Sequence, residues 1–184
     1  MLTHKGTREL RTSRLVLRRA VESDAEIMYR NWASDDEVTK FLTWPTHESV
    51  EISKAVIADW IENYERDDSY QWIIEYGGEA IGSIAVVSQS DKIGKAEIGY
   101  CMGQRWWHRG IMSEALAAVM DYLFTEVGMQ RIESRHDPRN PHSGGVMQKC
   151  GMTFEGIRRR SDWNNQGICD AAHYAILREE YRKE

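Results

Sequence analysis

The chain has 184 residues, and 41% of them are hydrophobic, which suffices for one domain with its own buried core. A formal net charge of −5 argues against a nucleic-acid-binding surface, and three widely spaced cysteines argue against a disulfide framework or a zinc knuckle. Because no apolar run reaches the roughly 18 residues of a membrane span, we expect one cytoplasmic domain, residues 1–184, that binds no metal, nucleic acid or membrane.

The first third of the chain predicts one strand and three helices. Arg14–Arg19 has the pattern of a strand, and Ser23-Asp24 caps the helix that follows. Asp35-Asp36 begins a short helix that ends before Trp44-Pro45, because the residue before proline avoids the helical region. His47-Glu48-Ser49 opens a long helix. The apolar residues expected to face inward are Ala25, Met28 and Trp32 in the first helix, and Ile52, Val56, Ile57, Trp60, Ile61 and Tyr64 in the long one.

The middle of the chain predicts three consecutive strands. These are Tyr70–Tyr76, Ala80–Ser88 and Ala96–Met102. The pair Gly77-Gly78 lies between two runs rich in β-branched residues, which is a hairpin signal. The first two of these strands are therefore expected to be antiparallel neighbours.

The last third predicts alternating helices and strands. One helix has an apolar face that runs from Ile111 to Val127 and ends at Gly128. A strand (131–135), a helix (140–150) and a closing pair of strands (153–161 and 168–177) follow. The whole order indicates an α/β fold in which helices cover both faces of a mixed sheet.

The segment from Gln104 to Ala115 carries the clearest functional signal. Its centre, Trp107-x-x-Gly110-x-Met112, leaves a strand and enters a helix. The first backbone N–H groups of a helix have no intrahelical acceptor, so such an end binds anions readily. His108 and Arg109 add positive charge beside it.

This segment, the strand Ala96–Met102 before it and the Asn140-Pro141-His142-Ser143 helix start after it resemble the GCN5-related N-acetyltransferases (GNAT), most closely the RimJ/RimL-like branch. The resemblance covers nearly the whole chain. It implies an acyl-CoA N-acyltransferase fold, whose mostly antiparallel central sheet of about seven strands is splayed in the middle. The family's usual first and last signature residues are replaced here by Trp107 and Met112, and only Gly110 is kept.

The resemblance also implies how acetyl-CoA binds as the co-substrate. The backbone of Trp107, His108, Arg109, Gly110, Ile111, Met112 and Ser113 would hold the pyrophosphate. Tyr100, Cys101 and Met102 would line the pantetheine arm on the splayed strand, and Asn140 would bond that arm from the facing helix.

The implied reaction is transfer of an acetyl group to a primary amine by direct attack in a ternary complex. Such an amine is protonated at neutral pH, so a carboxylate is a natural base, and Glu97 is the candidate. Glu97 could equally be a strand residue paired with an arginine. Ser143 is the candidate partner for the departing thiolate, since Met147 stands where many relatives have a tyrosine; the other reading of Ser143 is a residue near a helix cap.

The acceptor end is less defined by sequence. The resemblance directs attention to Thr43-Trp44-Pro45 and to residues 158–165, with Trp44 either a wall of the acceptor cleft or a residue packed under a helix. The acceptor is a protein N-terminal α-amine, as on a ribosomal protein, or a small-molecule amine. A homodimer is left open. A non-catalytic acyl-CoA-sensing module that binds a protein partner is the alternative function.

Overall fold

Eight strands form one open sheet within residues 2–181, the part of the chain that this computed structural model describes. Strand pairing is antiparallel throughout, except between the fifth and sixth strands in chain order. The strands are β1 (Leu10–Arg11), β2 (Leu15–Arg18), β3 (Gln71–Tyr76), β4 (Glu79–Ser90), β5 (Lys95–Met102), β6 (Arg131–His136), β7 (Thr153–Asn164) and β8 (Gly167–Leu177).

Five α-helices accompany the sheet in the described residues, and two of them lengthen into π-helical turns. The π-helical turns are Tyr29–Ala33 after the first helix and Leu123–Val127 after the fourth. Gly128 then ends the fourth helix in the left-handed region with φ +90°, as the sequence predicted. The helices are α1 (Asp24–Met28), α2 (Asp36–Thr39), α3 (Val50–Asn63), α4 (Ile111–Tyr122) and α5 (Pro141–Lys149).

The sheet is splayed in its middle, as the family resemblance implied. The strand order is β1-β2-β3-β4-β5-β6-β8-β7. The parallel pair β5–β6 is joined only along Lys95–Glu97 and Arg131–Glu133. Next to this paired region, the Ser134 hydroxyl donates to the Ile98 carbonyl at 2.7 Å, and the rest of β5 is not paired with β6. The sheet has eight strands instead of about seven, because the two-residue β1 is too short to give a sequence pattern.

Helices cover both faces of the sheet. Because successive strand residues point to opposite faces, their side chains enter two separate cores. Trp72 and Ile74 of β3 belong to the core beneath α4, while Ile73 between them faces α1 and α3. Of the six predicted apolar positions, however, only Ile57 within α3 and Tyr64 just after it are buried, and Ile52 is 40% exposed. The physical reason is that this helix also forms one wall of a cleft.

Candidate active site

A cleft of about 890 Å³ opens where β5 and β6 separate. Its walls come from the α2–α3 connection, α3, β4, β5, β6, the start of α5 and the β7–β8 hairpin. The predicted site residues Glu97, Tyr100, Cys101, Asn140, Ser143 and Trp44 all line it. The fold therefore brings together side chains from positions 44 to 143 of the chain.

The start of α4 has the geometry expected of an anion site. Gly110 has φ +70°, a left-handed conformation that turns the chain into the helix. The first helical bond runs from the Glu114 N–H to the Gly110 carbonyl at 3.1 Å. The N–H groups of Ile111, Met112 and Ser113 precede that bond, so they have no acceptor within the helix. This end of α4 offers three adjacent donors.

Two cations that sequence reasoning did not assign lie beside these donors. A Cβ atom placed on Gly110 would lie 3.3 Å from the Lys149 Nζ and 3.8 Å from an Arg14 guanidinium nitrogen. Arg14 is held there because its Nε donates to Glu114 at 2.7 Å and its Nη1 to the Arg109 carbonyl at 3.1 Å. Lys149 lies within the helix predicted for residues 140–150, but nothing local in the sequence shows that Arg14 meets α4.

The residues between β5 and α4 are fixed by their own contacts. The Trp107 indole N–H donates to the Met102 carbonyl at 2.7 Å. His108 has φ +59°, and its ring meets that of His142 edge-on at 4.7 Å. The Met112 side chain is buried in the core beneath α4, so this departure from the family signature points away from the donors.

Tyr100 and Ser143 meet across the cleft. The Tyr100 phenol donates to the Ser143 backbone carbonyl at 2.9 Å, and the Ser143 hydroxyl donates to the phenol oxygen at 3.3 Å. Burial raises the pKa of the Tyr100 phenol, so the phenol stays protonated at neutral pH. The site therefore holds a pair of linked neutral hydroxyl groups, of which only Ser143 was predicted to act on the thiolate.

Cys101 is held as a neutral thiol. Its sulfur lies 3.5 Å from the Ser83 hydroxyl, and burial raises the pKa of the thiol. Nucleophilic cysteines require the thiolate form. The Cys101 thiol is therefore held in its less nucleophilic form.

Glu97 lies in the cleft and is ion-paired with Arg135. The Arg135 Nε donates in turn to Asp162 at 2.6 Å, so one guanidinium serves two carboxylates. Glu97 is mostly buried, with 13% of its side chain exposed. The arginine partner that the sequence left open for Glu97 is present, and neither Arg135 nor Asp162 was singled out because they lie 38 and 65 residues away along the chain.

Asn140 precedes α5 at the N-cap position, with Pro141 as the first helical residue. Within residues 2–181 its side chain makes no capping hydrogen bond. Its backbone N–H donates to the Asp137 carbonyl at 2.8 Å. The Asn140 backbone is therefore fixed at the cleft wall, while its side-chain amide is available to another partner.

The two segments that the resemblance linked to binding of the acceptor amine also meet. The Asn165 side-chain amide donates to the Thr39 carbonyl at 2.8 Å and to the Trp44 carbonyl at 2.9 Å. Trp44 packs against the core beneath α1 and α3 and also lines the cleft. The predicted packing of Trp44 under a helix is thus present, while its role in acceptor binding stays a prediction.

No group of three or more His, Cys, Asp or Glu side chains in residues 2–181 has the arrangement of a metal site. Over the same range, every helix is too short or too polar to span a bilayer.

Comparison with known proteins adds independent information. A family model described as an acetyltransferase (GNAT) domain matches residues 14–153. YoaA, an uncharacterized N-acetyltransferase of Bacillus subtilis (strain 168), is 31% identical over 171 residues, covering 92% of this chain and 96% of the relative. The ribosomal-protein-serine acetyltransferase of Escherichia coli (strain K12) is 26% identical over 138 residues, covering 74% and 76%. The fold is also similar to that of RimL, a ribosomal L7/L12 alpha-N-protein acetyltransferase solved with coenzyme A, with TM-score 0.83, 22% identity and coverage of 92% and 98%.

Proposed function

The chain belongs to the GNAT acetyltransferase family, with RimJ/RimL-like relatives, and we propose that it transfers the acetyl group of acetyl-CoA to a primary amine in a ternary complex. One observation carries the proposal: three unbonded N–H groups and two cations surround the start of α4, beside a sheet that opens into a cleft. A diphosphate and a linear thioester-bearing arm fit these two features together.

The residues at the start of α4 would hold the diphosphate. The Ile111, Met112 and Ser113 N–H groups supply donors, and Lys149 and Arg14 supply charge. Tyr100, Cys101 and Met102, on the part of β5 that is not paired with β6, would line the pantetheine arm, and the side-chain amide of Asn140 would bond it from the start of α5. Acetyl-CoA supplies the activated acetyl group as a thioester.

The side chains around the cleft have separate proposed roles. Ser143 would turn its one hydroxyl proton from the Tyr100 phenol oxygen, which it contacts at 3.3 Å, to the sulfur as negative charge develops there. Glu97 orients the acceptor amine or an intervening water, because its charge is held in the cleft by Arg135. Trp44 forms an apolar part of the acceptor wall.

The acceptor is proposed to be a protein N-terminal α-amine or a small-molecule amine. The relative from Escherichia coli is named for a ribosomal protein serine, which supports the first, and it supports a cytoplasmic location. The cleft volume of about 890 Å³ supports the second, since small-molecule sites commonly enclose about 300–1,000 Å³.

The test is calorimetry followed by a thiol-release assay. We expect coenzyme A and acetyl-CoA to bind the full chain, and one or more members of a panel of amines and N-terminal peptides to release coenzyme A thiol, with acetylated product seen by mass spectrometry. No heat with either ligand would overturn the proposal. Binding without turnover on any amine would instead favour an acyl-CoA-sensing module.

A further inference from the structure

His47 is a buried histidine on the wall of the cleft, just before α3. It is 5% exposed, and its backbone N–H donates to the Ala33 carbonyl at 2.8 Å. The ring Nδ1 lies 2.7 Å from the hydroxyl of Ser53, a fully buried residue of α3. The ring also meets that of Trp44, with centroids 5.3 Å apart. These three contacts fix the orientation of the imidazole.

The second ring nitrogen is the one left for a molecule in the cleft. When Nδ1–H donates to the Ser53 hydroxyl, the neutral imidazole has its lone pair on Nε2. Burial lowers the pKa of His47, so the ring is neutral at physiological pH and able to accept a proton. Sequence reasoning treated His47 only as part of a helix start.

The carboxylates of the cleft are less suited to that task. Glu97 and Asp162 share Arg135, and Asp137 accepts from Arg139 and Asn164. Within residues 2–181, no ion pair or hydrogen bond joins His47 to any charged group lining the cleft; those groups are Asp59 of α3, Glu97 of β5, Arg135 of β6, Asp137 after β6 and Asp162 of β7.

We propose, on the basis of the acetyltransferase function above, that Nε2 of His47 accepts the proton of the attacking amine. The neutral form of the amine attacks: its nitrogen bonds to the thioester carbonyl carbon while the carbonyl π pair moves to oxygen, and the nitrogen becomes more acidic as it does so. Its N–H proton passes to Nε2. The carbonyl then re-forms as the carbon–sulfur bond breaks with its electron pair going to sulfur, and the imidazolium returns the proton to solvent. His47 is then the catalytic base, and Glu97 is a positioning residue.

Two variants separate this role from a structural one. His47→Asn keeps an amide near the Nδ1 position for Ser53 but has no group at Nε2, whereas His47→Gln places a non-basic amide there. We expect both to lower kcat by about 10²–10⁴-fold, the range of general-base catalysis, with acetyl-CoA affinity changed less than about twofold. His4→Gln is the matched control: His4 also bonds a hydroxyl, that of Tyr70, and lies outside the cleft. It should leave kcat unchanged.

The pH profile is the second readout. With saturating amine, the wild-type kcat should fall on the acid side through an ionisation below the ordinary histidine value of about 6.5, and this limb should be absent from His47→Asn and His47→Gln. Folded variants that keep kcat within about threefold of wild type, or that keep the acid limb, would overturn the assignment.

A third measurement needs no variant. Nitrogen NMR of histidine-labelled protein should show neutral His47 as the Nδ1–H tautomer at pH 7; the Nε2–H tautomer would overturn the proposal. These results would reject His47 as the base without rejecting the proposed function. The proposed function itself would fail if the wild-type chain acetylated no amine.

Discussion

Tyr100 and Ser143 exchange two hydrogen bonds across the cleft, one to a backbone carbonyl and one between hydroxyl groups. Ser143 belongs to α5, and Tyr100 belongs to the part of β5 that pairs with β4 but not with β6, so the pair links β5 to the helix that follows β6. The phenol fixes the segment that carries the serine.

This link predicts that Ser143→Ala lowers kcat by about ten- to a hundredfold, the low end of general-acid contributions, because a coenzyme A thiolate leaves without full protonation. Tyr100→Phe should lower kcat less, since it removes only the orienting partner. In a double-mutant cycle, the two effects should fall short of additivity. Thiol-release kinetics provide the measurement, and fully additive losses would show that the two hydroxyl groups act independently.

Glu97→Gln should lower kcat while the acid limb of the pH profile stays in place. The reason is that, under the proposed mechanism, the carboxylate that is ion-paired with Arg135 orients the acceptor and does not take the proton. The comparison is kcat against pH for wild type and variant at saturating amine. Loss of the acid limb in Glu97→Gln would instead identify Glu97 as the base and contradict the role given to His47.

Lys149→Ala should weaken coenzyme A binding by about tenfold or more. A hydrogen bond or ion contact to a charged group contributes on the order of 1.5–3 kcal/mol, and a tenfold change in Kd corresponds to about 1.4 kcal/mol. Calorimetry should also show a weaker salt dependence in the variant. Lys54→Ala is the control, because Lys54 lies on α3 and pairs with Glu51. If wild type and Lys149→Ala bind coenzyme A with equal affinity, Lys149 does not contribute to the diphosphate site.

Asp137 should make stability depend on pH in acid. The Arg139 guanidinium holds the pKa of Asp137 well below its usual value. Hydrogen bonds from the Arg139 backbone N–H and the Asn164 side chain lower it further. This stabilisation is therefore complete above the ordinary aspartate pKa of about 3.9 and is lost as the pH falls below it. Asp137→Ala should reduce the free energy of unfolding at pH 7 by about 1.5–3 kcal/mol and flatten its acid dependence. Urea titrations at several pH values test both effects; an unchanged acid dependence would assign the loss to other carboxylates.

Features set by local pattern could be predicted from the sequence. The apolar spacing of α3 and α4, the Gly77-Gly78 hairpin and the end of α4 at Gly128 each depend on neighbouring residues, and all are present. The glycine turn at the start of α4 belongs to the same class. The family resemblance added the splay, which local pattern alone does not contain.

Features set by distant pairings could not be predicted. Arg14 reaches Glu114 across 100 residues, and the Glu97, Arg135 and Asp162 network joins three separate strands. Such contacts depend on which strands become neighbours, and β8 lies between β6 and β7 without any local signal for that order. His47 was overlooked for the same reason, since its buried partner Ser53 gives it a fixed orientation only once α3 is packed.

The bond from the Trp107 indole to the Met102 carbonyl closes a ring of six residues between the last residue of β5 and the entry to α4. This bond restrains the connection between the strand edge and the three donors at Ile111–Ser113. Under the proposed function, this loop sets the separation between the place of the pantetheine arm and the place of the diphosphate of acetyl-CoA. An acyl carrier with a longer or shorter arm would then place either its diphosphate or its thioester correctly, but not both, whatever its charge.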